Sequence, residues 1–309
     1  MTNSRRVAAI QATPAFLDRS ATVERAVDLI AKAAAEGAEL ALLPESFVPT
    51  YPDWVWRTTP WNRHATELWQ RLVDEAVVVG SEATDALAEA ARQGGLHVSI
   101  GVTERDAPGS SLFNTALLFG PDGTLLHHHR KVMPTGGERL VWGQGDGSSL
   151  HGVDTSLGRI GTLICWENLM PLARTALYED GIQIHLAPTW DNSPGWVPTL
   201  QHIAREGRVF VIGTNSFLRG ADVDAATFPD RDDLYGGEDD WMSRGNAVVV
   251  DPQGEILAGP LVGEAGMLVV DIDLDAVTAA RQQFDAVGHY ARPDLLSLRR
   301  NPITRAAGS

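Results

Sequence analysis

A single cysteine, Cys165, occurs in this chain of 309 residues. It cannot form an internal disulfide, which agrees with a reducing compartment. Basic residues are also scarce, with 25 lysines and arginines against 40 acids and a formal net charge of -15. Nucleic-acid binding requires clustered Lys and Arg, so this balance argues against such a partner and points to acidity that serves solubility. The most basic stretch, Arg292 to Arg305, is short and mixed. No apolar run approaches the roughly 18 residues that a membrane span requires. The opening Met-Thr-Asn-Ser-Arg-Arg leads only to Val7–Ile10 before polar Gln11, which is too short for a secretory apolar region. A cytoplasmic, globular protein without membrane association is expected. Low-complexity segments and short repeats are absent as well.

With hydrophobic residues at 44%, there is enough apolar material for a full core. Short apolar runs alternate with amphipathic ones. Strands are expected at Arg6–Ala12, Leu40–Leu43 and His97–Thr103, and helices at Ala21–Ala35 and Ala83–Gln93. Asn114–Phe119 and Thr124–Lys131, joined by Pro121-Asp-Gly123, read as a β-hairpin, and Gly245–Val250 with Glu255–Ala258 repeats that design. Further strands fall at Ile182–Pro188 and Val209–Asn215, around a helix at Thr199–Glu206, and a loop rich in Asp and Gly follows from Gly220 to Asp240. Two hairpins added to parallel-type strands and helices predict an α/β fold of two mixed sheets stacked face to face with helices outside, a four-layer αββα sandwich.

Unpaired cysteine is most often an inert core residue. Cys165 instead sits where an apolar strand ends, in Arg159-Ile-Gly-Thr-Leu-Ile-Cys165-Trp-Glu, with a helix-like segment, Leu172–Glu179, opening behind it. A helix N-terminus there would favour the thiolate, whose reference pKa is about 8.5. Glu45, in Leu-Leu-Pro-Glu-Ser-Phe, follows a buried strand, where α/β folds place ligands and where partial desolvation can turn a carboxylate into a base. Lys131 closes the first hairpin in His127-His-His-Arg-Lys, and an ammonium between carboxylates could stabilise developing negative charge. Of those histidines only His127 and His129 share a strand face, and no second ligand cluster accompanies them, so no metal is expected. Glu138 lies in a glycine-rich segment that lacks the ending of a nucleotide-binding loop. Tyr51, Trp54, Trp56, Trp142, Trp166 and Trp190 fall near these motifs. Tyr51, Trp166 and Trp190, each following a strand-end motif, are the preferred pocket-lining residues.

Taken together, Glu45, Lys131, Glu138 and Cys165 resemble, in order and local context, the reactive set of the nitrilase, or carbon–nitrogen hydrolase, superfamily. The resemblance runs from Val7-Ala-Ala-Ile-Gln-Ala to Gly288-His-Tyr-Ala-Arg-Pro293, and Cys165-Trp-Glu with Asn168-Leu-Met-Pro-Leu-Ala-Arg174 is similar to the nitrilase branch. It implies a hydrolase domain over 1–285 and a tail over 286–309, including His289, that packs at a subunit interface of a homodimer or larger spiral homo-oligomer. It further implies that Cys165 attacks a nitrile carbon, Glu45 acts as general base, Lys131 with the Trp166 backbone N–H stabilises the tetrahedral intermediates, and Glu138 orients Lys131. No cofactor is implied. The expected substrate is a small nitrile, aromatic or arylaliphatic. An amidase or carbamoylase, an amide-forming hydratase and a catalytically silent scaffold remain the alternatives.

Overall fold

The computed structural model describes residues 3–226, 228–237 and 240–300. The first half contributes β1 (Ser4–Gln11), α1 (Arg19–Ala35), β2 (Leu40–Leu42), α2 (Arg63–Glu75), α3 (Glu82–Gly94), β3 (His97–Arg105), β4 (Leu112–Phe119) and β5 (Leu125–Arg130). The second adds β6 (Val153–Thr155), β7 (Gly158–Thr162), α4 (Pro171–Glu179), β8 (Ile184–Thr189), α5 (Trp196–Gly207), β9 (Phe210–Asn215) and β10 (Phe217–Arg219). It is completed by α6 (Arg231–Tyr235), β11 (Trp241–Arg244), β12 (Ala247–Val250), β13 (Ile256–Leu261), β14 (Gly266–Asp273) and α7 (Asp275–Gln283). Two six-stranded sheets result, ordered β14-β1-β2-β3-β4-β5 and β13-β12-β9-β8-β7-β6.

The apolar run of β1 explains the layering, because successive side chains point to opposite faces. Val7 and Ala9 join Leu40, Leu42, Ile184, Leu186, Phe210 and Ile212 between the sheets. Ala8 and Ile10 face the other way, into a core shared with Ala26, Ile30 and Ala33 of α1 and Leu87, Ala90 and Ala91 of α3. On the second sheet Val211, Val248 and Val250 meet Leu177 of α4 and Leu200 and Ile203 of α5. Helix, sheet, sheet, helix is therefore the order of layers, as the sequence predicts. Helix α1 starts where it does because the Asp18 side chain accepts from the Ala21 N–H at 2.9 Å.

Several elements differ from expectation. The segment from Gly220 to Asp240 carries a 3₁₀ turn and α6, and it buries Val223 and Tyr235. Helix α2 and strand β14 were not anticipated. Strand β14 pairs with β1 from Ser4↔Asp273 to Gln11↔Gly266, which brings distant parts of the chain together. The expected tail is described as far as residue 300, where Arg300 pairs with Asp180 at 2.9 Å, and 301–309 lie outside the described residues. No described helix is long and apolar enough to cross a membrane.

Two histidines are built into this scaffold in neutral form. His127, bonded to the Ser149 carbonyl, and His185, bonded to Asn168 Oδ1, are each pushed down by burial from 6.5 to about 3. Because the folded value is depressed, the unfolded chain takes up protons first, and stability is lost as the pH falls below 6.5 toward 3. At about 1.4 kcal/mol per pH unit for each group, the pair should cost about 4 kcal/mol on going from neutrality to pH 5. Urea unfolding at the two pH values checks this, and an unchanged midpoint would contradict it.

Candidate active site

Glu45 lies three residues beyond β2, and its turn is set by close backbone packing. A Cβ at Gly101 of β3 would stand 2.3 Å from the Pro44 oxygen and 2.4 Å from the Ser46 nitrogen, so only glycine lets that strand pass beneath. The Gly101 N–H donates to Pro44 O at 3.1 Å, which continues the ladder into the turn. Lys131 follows β5 directly. Its N–H donates to Asn114 O and its carbonyl accepts from the Gly145 N–H, both at 2.8 Å. Glu138 sits in a 3₁₀ turn, Gly136–Leu140, where its Oε2 accepts from the Thr135 N–H at 2.6 Å.

These three side chains converge on the ammonium. Lys131 Nζ donates to Glu45 Oε1 and to Glu138 Oε2, each at 2.8 Å, and all three groups are buried. Glu138 Oε1 accepts from the Tyr51 hydroxyl at 2.7 Å, and that hydroxyl accepts from Trp56 Nε1 at 3.1 Å. Tyr51 stacks on Trp190 with centroids 4.4 Å apart and meets Trp142 edge-on at 5.4 Å. The Trp190 indole N–H donates in turn to buried Asp53 at 3.2 Å. Two of the three expected lining residues are thus joined to the reactive cluster. Trp166 is not: it is 48% exposed and donates to Asp191 Oδ2 at 2.9 Å.

Cys165 is only 5% exposed and takes φ 51°, a left-handed conformation that non-glycine residues adopt at a cost. The surrounding bonds hold it there. Asn168 Nδ2 donates to both Leu163 O and Cys165 O, at 2.8 and 2.9 Å. Glu167 receives the Ile164 N–H at 2.7 Å, the Val132 N–H at 2.6 Å and His129 Nε2 at 2.9 Å. One buried carboxylate therefore ties the turn of the thiol to the strand end of the lysine. Thr189 Oγ1 donates to Cys165 Sγ at 3.2 Å. Asn114 Nδ2 donates to Glu45 Oε1 at 2.7 Å. Sequence reading passed over Asn114, Thr189, Glu167 and His129 as participants. The available signal was polarity inside apolar strands, as in Leu112-Phe-Asn-Thr-Ala-Leu-Leu-Phe119.

Electrostatics correct one expectation. Cys165 opens a 3₁₀ turn, and α4 begins only at Pro171, so the thiol does not lie in the first turn of an α-helix. Burial, followed by the nearby Glu45 charge, pushes the thiol well above its ordinary value, against the opposing pull of Lys131. Burial thus favours its protonated form. Burial raises Glu45 from 4.5 to about 6 although Lys131 pulls it down. Burial works against the Lys131 ammonium, but Glu45, Cys165 and Glu138 overcome it and leave the lysine charged. A buried acid–base pair of this kind can move a proton from sulfur to carboxylate beside a fixed positive charge.

His127 and His129 share a face, with ring centroids 6.0 Å apart, but their nitrogens bond Ser149 and Glu167. An apolar cavity of about 640 Å³, lined by Trp54, Trp61, Trp69, Phe113, Leu140 and Trp142, borders the Tyr51 cluster. None of the four reactive residues lines it.

Two stacked sheets with a thiol, a lysine and two carboxylates gathered at one end define a hydrolase of the αββα-sandwich class. Residues 6–282 match the carbon-nitrogen hydrolase family. The chain is 44% identical over 298 residues to an aliphatic nitrilase of Sinorhizobium fredii, covering 95% of this chain and 94% of that one. It is 39% identical over 303 residues to nitrilase 2 of Arabidopsis thaliana, covering 95% and 87% respectively. A carbon-nitrogen hydrolase structure from Helicobacter pylori superposes with a TM-score of 0.74 at 20% identity, over 95% of this chain and 97% of that one, a likeness of fold. The chain belongs to the carbon-nitrogen hydrolase family, in its nitrilase branch, and is a nitrilase-type hydrolase of carbon–nitrogen bonds.

Proposed function

We propose that this enzyme hydrolyses a small organic nitrile to the carboxylic acid and ammonia through Cys165. The observation that carries the reading is the single ammonium of Lys131 bridging Glu45 and Glu138 within the field of the thiol. Glu45 takes the thiol proton as sulfur bonds to the nitrile carbon. One C–N π bond becomes a nitrogen lone pair, which is protonated to give the thioimidate. The proton held by Glu45 is the one passed to that nitrogen, which frees the carboxylate. Water deprotonated by Glu45 then adds to the same carbon as the second C–N π bond becomes a nitrogen lone pair. Protons from Glu45 and from the new hydroxyl convert that nitrogen to ammonia, which leaves with the electrons of the C–N σ bond as the oxygen closes to the thioester carbonyl. A second water attacks the remaining thioester and expels the thiolate, which regains its proton. Lys131, with the Trp166 backbone N–H, stabilises the charge at each tetrahedral stage, and Glu138 keeps Lys131 in position.

The stacked rings of Tyr51 and Trp190, joined to Glu138 through the Tyr51 hydroxyl, support an aromatic or arylaliphatic nitrile. A second reading, an aliphatic nitrile, is favoured by the name of the Sinorhizobium relative. Exposed Tyr290, Leu295 and Leu296 on the tail support its packing at a homo-oligomer interface.

The test is a matched panel of aryl, arylalkyl and alkyl nitriles with their amides, read as ammonia release and product identity. Acid and ammonia from nitriles are expected. Turnover of amides alone points to an amidase, amide as the main product points to a hydratase, and higher kcat/KM for alkyl chains overturns the aromatic preference. Cys165→Ala should abolish turnover and remain folded by circular dichroism. Loss of the fold in that variant would instead assign the thiol to packing.

A further inference from the structure

Asn114 lies in β4 and touches two members of the reactive cluster. Its main-chain carbonyl accepts from the Lys131 N–H at 2.8 Å, and its side-chain Nδ2 donates to Glu45 Oε1 at 2.7 Å. Both residues are fully buried. An asparagine amide donates only through its nitrogen, so this bond also fixes which way the amide faces. Glu45 Oε1 then holds two donors, Asn114 and Lys131, whereas Glu45 Oε2 is buried with no partner among the described residues. The two oxygens of one carboxylate are thereby made unequal.

We propose that Asn114 is a positioning residue for the reaction: by holding Oε1 beside the ammonium it leaves Oε2 as the oxygen that takes the proton of Cys165. The inference rests on the reading of Glu45 as general base. Bonds donated to a carboxylate favour its charged form, so Asn114 also keeps the base ionised at lower pH than burial would allow. The other groups that act on Glu45 are Lys131 at the end of β5 and Glu138 in its 3₁₀ turn, and its charge in turn raises the Cys165 thiol and the Tyr51 hydroxyl. Only Lys131 opposes burial together with Asn114; Glu138 works the other way.

The test follows the rate of Cys165 alkylation by iodoacetamide against pH, by mass spectrometry, so that no substrate need be known. In the native enzyme the rate should climb through about 6, the value to which Glu45 is raised. In Asn114→Ala the rise should move up by about one pH unit, with alkylation about tenfold slower near pH 5.5. Asn114→Asp, close to isosteric, should move it at least as far and carries the test if the alanine variant does not fold. A purely structural role would lower the rate at every pH without moving the rise. A rise left in its native place in folded variants overturns the proposal. Should Glu45→Gln retain the same rise near pH 6, the reading of Glu45 as base fails, and the role of Asn114 falls with it.

Discussion

Glu45→Gln should lower kcat by roughly 10²–10⁴ and leave the fold intact. The amide oxygen of the new side chain can occupy the place of Oε1, where it still accepts from Asn114 Nδ2 and Lys131 Nζ. Its NH₂ group then takes the place of Oε2, to which no group among the described residues donates. Lys131 retains the charge of Glu138 at 2.8 Å. What disappears is the proton acceptor for a thiol that burial keeps protonated. Lys131 alone cannot draw that proton off. Steady-state kinetics beside a melting curve separates the two effects: more than a tenth of native turnover would remove Glu45 from the role of base.

Lys131→Met should cost about 3–5 kcal/mol in stability, because it deletes the ammonium that two buried carboxylates share. Glu45 would keep Asn114 as a donor, and Glu138 would keep Tyr51 and the Thr135 N–H. Neither set replaces a positive charge. The folded variant should therefore hold a proton on one carboxylate well above the unfolded value of 4.5. Raised acid values mean that the folded state binds the proton more tightly, so the deficit should be largest at alkaline pH and shrink as the pH drops toward 5. Adding Glu138→Gln should restore part of the stability and none of the activity. A single variant that melts with the native enzyme at pH 8 would show that the ionic core is not held as described.

Much of the architecture was legible because local patterns agree with it. The run Val7–Ile10, the alanine-rich helices and the Pro-Asp-Gly turn each specify an element from neighbouring residues alone. Strand β14 escaped because it is half exposed and pairs with β1 across almost the whole chain. Helix α2 escaped because only Leu68, Leu72 and Val73 of its thirteen residues are buried. Of the site, Glu45, Lys131 and Cys165 announced themselves through strand-end motifs, and Glu138, in its glycine-rich segment, through the resemblance of the whole set to the family. Asn114 and Thr189 did not, since a polar residue within an apolar strand carries no mark of what it will face. The Trp166 side chain was expected beside the pocket, but the turn after Cys165 directs it to Asp191 and solvent.

The amino-acid order by itself determined the alternation of strands and helices, the scarcity of basic charge and the presence of a thiol, a lysine and a carboxylate at strand ends with a second carboxylate in a glycine-rich turn. These are properties of residue type and spacing. Tertiary structure alone decided that the ammonium bridges both carboxylates, that burial pushes the thiol up and that Glu45 is raised to about 6. Those outcomes depend on desolvation and on distances between segments far apart in the chain, and neither quantity exists until the two sheets are packed together.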